Sequence, residues 1–409
     1  MGYSGCNGVN LPKPVPLCIR TGIEIILRYI AHFVDTYPQI QYKYIYDQLT
    51  DSKNKRNVIM AERFIGDSKS NNLYFFRKVK NNEWLRKVDS LFTDRLPIGN
   101  NLYLKALTVF YKEKVKLHNV SLMHAHFGMV GYKLSKLRKE LGIPLVITFY
   151  GNDVSYCLKS KRWINRYSDM FRVGDRFIVL CDEAKKRLIN SGCPEEKIRL
   201  WNIGLDLENY PYLERDTGKP IKFLMVARFV ETKGYPVLLK AFSGLLRNYK
   251  DVTLTLVGLG PLKKYILHLI YNLGLQNNVS LVDTAELSDF YSLFRDILYE
   301  HDVFVLPSTT SKDGEDEGGP ALTMIYAQST GLPVISTPFP GAEISVIDGE
   351  TGLLCEQDSP DSLRERMEYL INDSSIMKKM GLSGSMLVKE KFSLIPQLNK
   401  LHKIYDELL

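Results

Sequence analysis

Two basic side chains stand where a predicted strand gives way to a helix, a suitable place to bind a phosphorylated ligand. In the segment ARFVETKGYPVLLKAF, a strand ends at Ala227-Arg228, and Lys233-Gly234 directly precedes a helix. Two cations beside the unpaired N–H groups of a helix start favour binding of a pyrophosphate. The alternative is that both cations are solvated surface charges, which is the commoner case for such a loop.

A glycine turn follows the next predicted strand. In LVGLGPLKKYI (256–266), Gly258 and Gly260 would let the backbone approach a ligand closely, and Pro261 suits the first position of a helix. A GxG pair is also typical of an ordinary tight turn. Residue 263 is Lys, so the segment is not a GxGxxG fingerprint, which argues against a dinucleotide site.

The most informative segment is LPSTTSKDGEDEGGPALTMIYAQSTGLPVIST (306–337). A strand ends at Pro307-Ser308, an acidic loop follows, and Gly318-Gly319-Pro320 opens a helix. Bare N–H groups there suit an anion, and Glu317 can accept hydrogen bonds from hydroxyl groups, so the combination suits a ligand with both phosphate and sugar. The alternative is a solvated acidic loop. No DxD stands at a strand end, so we do not predict a metal site.

Polar residues also end two predicted strands of the first half. VSLMHAHFG places His126 at one strand end, and VITFYGND places Tyr150, Gly151 and Asp153 at the next. A phenol makes one hydrogen bond and offers a flat face to a sugar ring. Asp153 would hydrogen-bond within the loop or to a ligand. His126 would supply imidazole chemistry or support the loop.

Strands and helices alternate from residue 120 onward, and the apolar runs predict parallel sheets buried on both faces. The alternation restarts after the polar stretch 213–220 and ends in the helical segment 396–409. The sequence therefore predicts an α/β protein of two Rossmann-like, doubly wound domains that meet across a cleft.

The first 120 residues are harder to interpret. Helical periodicity covers 21–34, whereas 41–46 and 72–76 resemble short strands. In the helical segment DEAKKRLINSG, Asp182 is the predicted N-cap.

Composition narrows the class. At 409 residues, two domains of roughly 200 residues are expected. No apolar run approaches a membrane span, and neither a secretory signal nor a myristoylation pattern is met. The six scattered cysteines form no CxxC pair and are expected to be reduced thiols in a cytoplasmic protein.

Charge is unevenly distributed. Residues 1–200 carry 34 Lys and Arg against 18 Asp and Glu, whereas the rest of the chain is net acidic. Basic and aromatic residues interleave in 74–87 and 158–172. That pattern suits an anionic membrane surface or nucleic acid, and a solvated face is an equally good interpretation.

Taken together, five motifs resemble the GT4 family of retaining glycosyltransferases, in particular capsule, exopolysaccharide and colanic-acid-type enzymes. They are HAHFG (124–128), TFYGND (148–153), ARFVETKG (227–234), VGLGPL (257–262) and EGGPALTMIYAQSTGLPVIST (317–337). The resemblance implies the GT-B fold: an N-terminal acceptor-side domain at 1–212, a linker at 213–220 and a C-terminal donor domain at 221–395. It also implies that the last helix packs back on the first domain.

The resemblance further implies roles for individual residues. Arg228 and Lys233 would bind the diphosphate of a nucleotide-sugar, UDP- or GDP-linked, and Glu317 with Gly318 and Gly319 would hold the sugar hydroxyls and adjacent phosphate. The base would lie near 281–286, with Asp283, beside Gly258 and Gly260. His126, Tyr150, Gly151 and Asp153 would face the acceptor and the sugar. Transfer would proceed by front-face attack, without a protein nucleophile, metal or other cofactor.

This sequence departs from the family pattern at three places. Tyr150 stands where histidine is common, and Tyr326 stands where a second glutamate would hold the ribose. The first 19 residues contain no convincing strand, which predicts either a truncated chain or a rearranged first unit. These departures motivate an alternative, a catalytically silent GT-B protein that binds a glycan or a partner enzyme. The leading hypothesis is a glycosyltransferase acting on a glycan or lipid-linked acceptor, cytoplasmic and peripheral at the inner membrane face, with no nucleic-acid partner.

Overall fold

The computed structural model describes residues 28–37, 43–49, 57–64, 72–78, 97–215, 220–284 and 290–409. These residues form two parallel sheets, one of seven strands and one of six, with helices between most successive strands. The prediction of an α/β protein with two doubly wound units is therefore confirmed.

The first sheet has β1 at its topological switch point, with β2 on one side and β4 on the other. Its order is β3-β2-β1-β4-β5-β6-β7. The strands are β1 (Tyr29–Tyr37), β2 (Asn57–Phe64), β3 (Leu73–Lys78), β4 (Val120–His126), β5 (Leu145–Thr148), β6 (Arg176–Val179) and β7 (Ile198–Leu200). The helices are α1 (Lys43–Leu49), α2 (Pro97–Leu117), α3 (Gly128–Leu141), α4 (Asn152–Ser155), α5 (Lys161–Val173) and α6 (Asp182–Asn190).

The second sheet repeats this plan, with β8 between β9 and β11 and the order β10-β9-β8-β11-β12-β13. Its strands are β8 (Lys222–Val226), β9 (Thr253–Gly258), β10 (Val279–Asp283), β11 (Val303–Leu306), β12 (Val334–Ser336) and β13 (Gly352–Leu354). The helices of this second half of the chain are α7 (Tyr235–Leu245), α8 (Lys263–Asn272), α9 (Phe290–Glu300), α10 (Leu322–Ser329), α11 (Pro360–Asn372), α12 (Ser374–Phe392) and α13 (Leu394–Asp406).

Three local predictions need correction. The run predicted as a helix over 21–34 contains most of the central strand β1. Of the run predicted as a strand over 41–46, residues 43–46 belong to helix α1. A strand buried on both faces shows no period-2 alternation, so apolar spacing alone cannot distinguish it from a helix. Asp182 is the first helical residue rather than the N-cap, which is Cys181. The strand predicted over 72–76 is confirmed as β3.

A first strand of the family type is present, but later than the opening residues suggested. β1 begins at Tyr29, and residues 1–27, which contain the opening glycines, lie outside the described residues. β1 occupies the centre of the sheet, and the predicted truncation or rearrangement of the opening residues stays a prediction.

The last helix lies against the first sheet. The indole Nε1 of Trp201 donates to the backbone carbonyl of Gln397 (2.9 Å), and the Tyr405 hydroxyl lies 2.7 Å from Nδ1 of His124. Glu407, just past α13, pairs with Arg176 and Arg199. This contact joins the end of the chain to the first unit, while the predicted domain boundaries stay a prediction.

Four cysteines fall in the described ranges, and all are free and buried. Within those same ranges, we find no helix that is both long enough and apolar enough to cross a membrane.

Candidate functional site

The carboxyl edges of the two sheets meet at the loops after β5 and β11. A Cβ added to Gly151 would lie 2.8 Å from the backbone oxygen of Glu317, and one added to Gly318 would lie 2.5 Å from the oxygen of Gly151. Gly318 also has a φ of +67°, a region that favours glycine. A Cβ added to Gly319 would lie 3.1 Å from the backbone oxygen of Tyr150. These glycines thus allow the backbones of the two domains to approach closely at this edge.

Lys233 and Glu317 form the chemical centre of this edge. The Lys233 ammonium lies 2.6 and 2.5 Å from the two carboxylate oxygens of Glu317, and the Ser308 hydroxyl donates to the same carboxylate (2.5 Å). The two charged side chains are only 11% and 9% exposed. A nearly buried cation beside a carboxylate can bind an anion and a hydroxyl group side by side.

Arg228 is exposed, just beyond β8 and on the same loop as Lys233. That loop packs tightly against the end of β11, because a Cβ on Gly234 (φ +71°) would lie 1.9 Å from the Pro307 oxygen. As predicted, the loop leads directly into a helix, α7. Both predicted phosphate ligands are therefore held at the carboxyl edge of the second sheet.

Gly258 and Gly260 serve packing between loops. A Cβ on Gly258 would lie 1.9 Å from the Ala227 oxygen, and one on Gly260 would lie 2.6 Å from the Phe229 oxygen. The glycine turn therefore supports the loop that carries Arg228. Asp283 ends β10 and pairs with Lys263 (2.6 Å), whereas residues 285 and 286 of the predicted base-binding segment lie outside the described residues.

Tyr326 is placed in an aromatic cluster. Its ring centroid lies 4.6 Å from that of Tyr210 and 5.8 Å from that of Phe294, and the residue is 7% exposed. Helix α10 begins at Leu322, two residues after Pro320, so the paired glycines precede the helix rather than form its first turn. This geometry does not favour the predicted contact between Tyr326 and a ribose.

Asp153 stabilises the loops around the edge. Its carboxylate is fully buried and accepts backbone N–H groups of Gly128 (2.9 Å), Tyr150 (3.0 Å) and Gly151 (3.0 Å). Burial raises the pKa of Asp153, although these N–H groups act in the opposite direction. Of the two predicted roles, hydrogen bonding within the loop is the one seen.

The Tyr150 hydroxyl is part of a buried histidine network. It lies 2.7 Å from Nδ1 of His126, whose Nε2 lies 3.1 Å from Nδ1 of His32. His124, paired with His32 across β1 and β4, contacts the hydroxyls of Tyr405 and Thr148, each at 2.7 Å. The hydroxyl of Tyr150 therefore already has a partner, and the ring packs against neighbouring aromatic residues.

Burial lowers the pKa of all three imidazoles, that of His32 to about 3, so they are neutral near pH 7. Their ligating atoms lie within 4.8 Å of one another, close enough to consider a metal ion. Both ring nitrogens of His124 and of His126 have hydrogen-bond partners, however. The arrangement is a satisfied network that supports the strand ends.

Sequence reasoning missed the contacts of the acidic loop with the first domain. Arg187 on α6 binds Asp316 through both terminal nitrogens (2.9 and 2.6 Å), and Asn152 donates to Glu315 (2.8 Å). Lys159 donates to the Gly314 carbonyl. The interpretation of this loop as merely solvated is wrong, and no local pattern around Arg187 indicates its distant partner.

The basic and aromatic segment 158–172 turns its rings inward. Tyr167 and Phe171 are 0% and 1% exposed, and the Arg166 guanidinium packs over Trp163 at 4.6 Å. Of the other interleaved segment, 74–87, residues 79–87 lie outside the described residues. The interleaved pattern in 158–172 is therefore that of an amphipathic helix whose aromatic side belongs to the core.

Two family profiles match consecutive parts of the chain. The one described as Glycosyltransferase Family 4 matches residues 74–209, and the one described as Glycosyl transferases group 1 matches residues 214–384. They meet near the end of the first sheet and together cover most of the chain.

Curated relatives and a solved structure agree with these matches. The chain is 30% identical over 247 residues to the putative colanic acid biosynthesis glycosyltransferase WcaL of Salmonella typhimurium, a match that spans 59% of each chain. It is 27% identical to the amylovoran biosynthesis glycosyltransferase AmsK of Erwinia amylovora, over 69% of each chain.

The fold is similar to that of Anabaena HepE, solved in complex with UDP and glucose, with a TM-score of 0.73 and 14% identity. That likeness covers 93% of this chain and 100% of HepE. The chain thus belongs to the GT4 family of glycosyltransferases and has their GT-B fold, a family 4 domain followed by a group 1 domain.

Proposed function

We propose that the protein transfers a sugar from a nucleotide-diphosphate sugar to a glycan or lipid-linked acceptor, with retention of anomeric configuration, in the synthesis of a surface polysaccharide. The observation that carries this proposal is the nearly buried Lys233–Glu317 pair with Ser308 at the edge where the domains meet. A cation and a carboxylate held together suit a ligand that carries both a phosphate and sugar hydroxyl groups.

In the proposed reaction, Lys233 and Arg228 neutralise the diphosphate, and Glu317 accepts hydrogen bonds from the donor sugar. The bond between the anomeric carbon and the phosphate oxygen breaks, and a bond to the acceptor oxygen forms on the same face. The acceptor's proton passes to the departing phosphate. Fixed positive charge near the leaving oxygen stabilises the developing negative charge, usually the largest contribution in such a site.

The relatives support the proposed pathway, surface polysaccharide synthesis, and the proposed classes of nucleotide-sugar donor. WcaL and AmsK are named for colanic acid and amylovoran biosynthesis, and a third relative, CapM of Staphylococcus aureus, for capsular polysaccharide. HepE was solved with UDP and glucose, whereas a mycobacterial relative is described as GDP-mannose-dependent. We therefore propose a UDP- or GDP-linked donor, without a required metal ion or other cofactor.

The acceptor side is proposed to meet an anionic membrane surface. Lys161 and Arg162 are exposed on α5, and Tyr156, in the segment before this helix, is half exposed. Basic residues near such a surface contribute ~1 kcal/mol each. Cosedimentation with phosphatidylglycerol vesicles but not phosphatidylcholine vesicles is expected, and equal recovery with both would contradict it.

Calorimetric titration with UDP, GDP, ADP and CMP and their common sugar conjugates tests the donor site. One nucleotide class should bind to the wild type, and Lys233→Ala should weaken that binding by about 10-fold or more, since one charge-assisted contact contributes ~1.5–3 kcal/mol. Lys240→Ala, which changes an exposed residue on α7, is the matched control and should bind as the wild type.

Absence of binding by a folded wild-type protein would refute the donor site and favour the silent GT-B alternative. If binding is found, the anomeric configuration of the product, read by NMR, tests retention.

A further inference from the structure

The acidic loop, residues 311–319, contacts both domains through three consecutive carboxylates. Glu315 accepts from Asn152, and Asp316 binds Arg187, so two of them reach the first domain. Glu317, the next residue, binds Lys233 of the second domain. The loop is thus held from both sides at adjacent positions.

The contact between Arg187 and Asp316 has the geometry of a strong ion pair. Two parallel N–H···O bonds of 2.9 and 2.6 Å join the guanidinium to the carboxylate, and the two side chains are 25% and 14% exposed. The carboxylate of Asp316 raises the pKa of Arg187 further above its ordinary value. Glu183, one helical turn earlier, also binds Arg187 (3.1 Å) and orients the guanidinium. Bidentate pairs of this kind fix direction as well as distance.

The backbone next to this pair leaves little freedom. The Glu317 carbonyl lies against Gly151, and Gly318 lies against the Gly151 carbonyl, so the loop cannot shift toward the first domain. Ser311 closes the loop from within, because its N–H donates to the Glu315 carbonyl and its hydroxyl accepts from the Glu315 N–H. The backbone at Glu317 is therefore held by contacts from the first domain, in addition to the contacts that its carboxylate makes with Lys233 and Ser308 of the second domain.

We infer that Arg187, with Asn152, is a positioning residue that sets Glu317 against the donor when the two domains are closed. This inference rests on the proposed function. Arg228 and Lys233 both belong to the second domain, so the nucleotide keeps its main anchors without Arg187. Without Arg187, Glu317 would no longer be correctly placed to bind the donor sugar. Misplacement of such a group by about 1 Å can reduce the rate of the chemical step by about 100-fold.

The experiment compares Arg187→Asp, Asp316→Arg and the double variant with exchanged charges. Hydrogen exchange of the 311–319 segment reports loop order, calorimetry reports nucleotide affinity, and release of sugar from the donor reports kcat and KM. We expect each single variant to lose exchange protection in the loop and about 10- to 100-fold in kcat, with nucleotide affinity changed by less than about 3-fold. The double variant should recover both loop protection and kcat. Arg187→Lys, which retains charge but not the bidentate bonds, should be intermediate.

Lys185→Asp is the matched control, because Lys185 lies on the same helix and pairs with Glu195 of its own domain. It should behave as the wild type in all three measurements. If the wild type binds no donor, the proposed function fails and the inference fails with it. If the wild type binds and turns over donor while the Arg187 variants match it in exchange and kcat, the inference alone is refuted. Failure of the exchanged pair to recover refutes it equally.

Discussion

The buried histidine network predicts a specific loss of stability in mild acid. His32, His124 and His126 are at most 2% exposed, and burial lowers the pKa of each. In the unfolded chain each imidazole has a pKa of about 6.5. Above that pH the imidazoles are neutral in both the folded and the unfolded state, so they do not make the free energy of unfolding depend on pH. Below it the unfolded chain binds protons that the folded network rejects, so stability falls as pH falls.

The magnitude follows from linkage. Each such histidine costs ~1.4 kcal/mol of stability per pH unit below its unfolded pKa. Between pH 6.5 and 5.0 this amounts to ~2 kcal/mol for each imidazole and ~6 kcal/mol for the three, a large fraction of the stability of a typical domain. The window ends near pH 5, before most carboxylates titrate.

Urea unfolding followed by tryptophan fluorescence at half-unit steps from pH 7.5 to 5.0 measures the effect. All three tryptophans precede residue 202, so the signal reports the first domain. His118 also has a lowered pKa, so it contributes to the slope of the wild-type free energy of unfolding against pH. Variants of the network isolate its contribution better than this slope alone. His124→Gln should reduce the slope by ~1.4 kcal/mol per pH unit. His268→Gln, at an exposed site on α8, is the control and should leave it unchanged.

An unchanged slope in His124→Gln, with the variant folded at pH 7.5, would refute the reasoning. It would mean that the imidazoles are already protonated in the folded state or that water reaches them.

Three further predictions concern buried residues of the two domains. Tyr326→Glu would bury a carboxylate among aromatic rings and should destabilise the second domain by ~3 kcal/mol or more, with no gain in nucleotide affinity. Tyr326→Phe should lower the free energy of unfolding by less than ~1 kcal/mol. Denaturation followed by circular dichroism measures the stability of both variants, and calorimetry measures their nucleotide affinity. Gly258→Ala should lower the free energy of unfolding by ~3 kcal/mol, because the added methyl group would meet the Ala227 carbonyl. Gly244→Ala, inside α7 beside the flexible side chain of Arg364, should leave the free energy of unfolding unchanged or raise it by up to ~1 kcal/mol. Equal denaturation midpoints for the two variants would contradict this reasoning. Asp153→Asn should cost ~1–3 kcal/mol in tryptophan-detected unfolding, since an amide NH₂ would face a backbone N–H group, and a wild-type midpoint would count against the role given to Asp153.

Much of the second domain could be predicted from local pattern. β9 is a short apolar run that ends at Gly258, β11 is one that ends before Pro307, and β8 is one that ends before Ala227-Arg228. These strands and the helix after Gly234 therefore follow from the sequence. β1 could not be assigned in this way. It is buried on both faces, and its apolar spacing resembles that of a helix.

The site was predicted in part. Strand-end positions brought Lys233, Glu317, Gly318 and Gly151 to one edge, since parallel strands present their carboxyl ends together. The motif register placed Tyr326 at a ribose contact, but the sequence does not show which face of α10 is covered by Tyr210 and Phe294.

The sequence by itself determined the α/β class, the repeat of two doubly wound units and the family, because these depend on periodicity and on motifs of local spacing. Tertiary structure alone decided which polar groups are partners. Arg187 and Asp316 are 129 residues apart, and Tyr405 meets His124 across 281 residues. Such pairs exist only once both sheets and the last helix are in place, because local spacing carries no information about which distant surfaces meet.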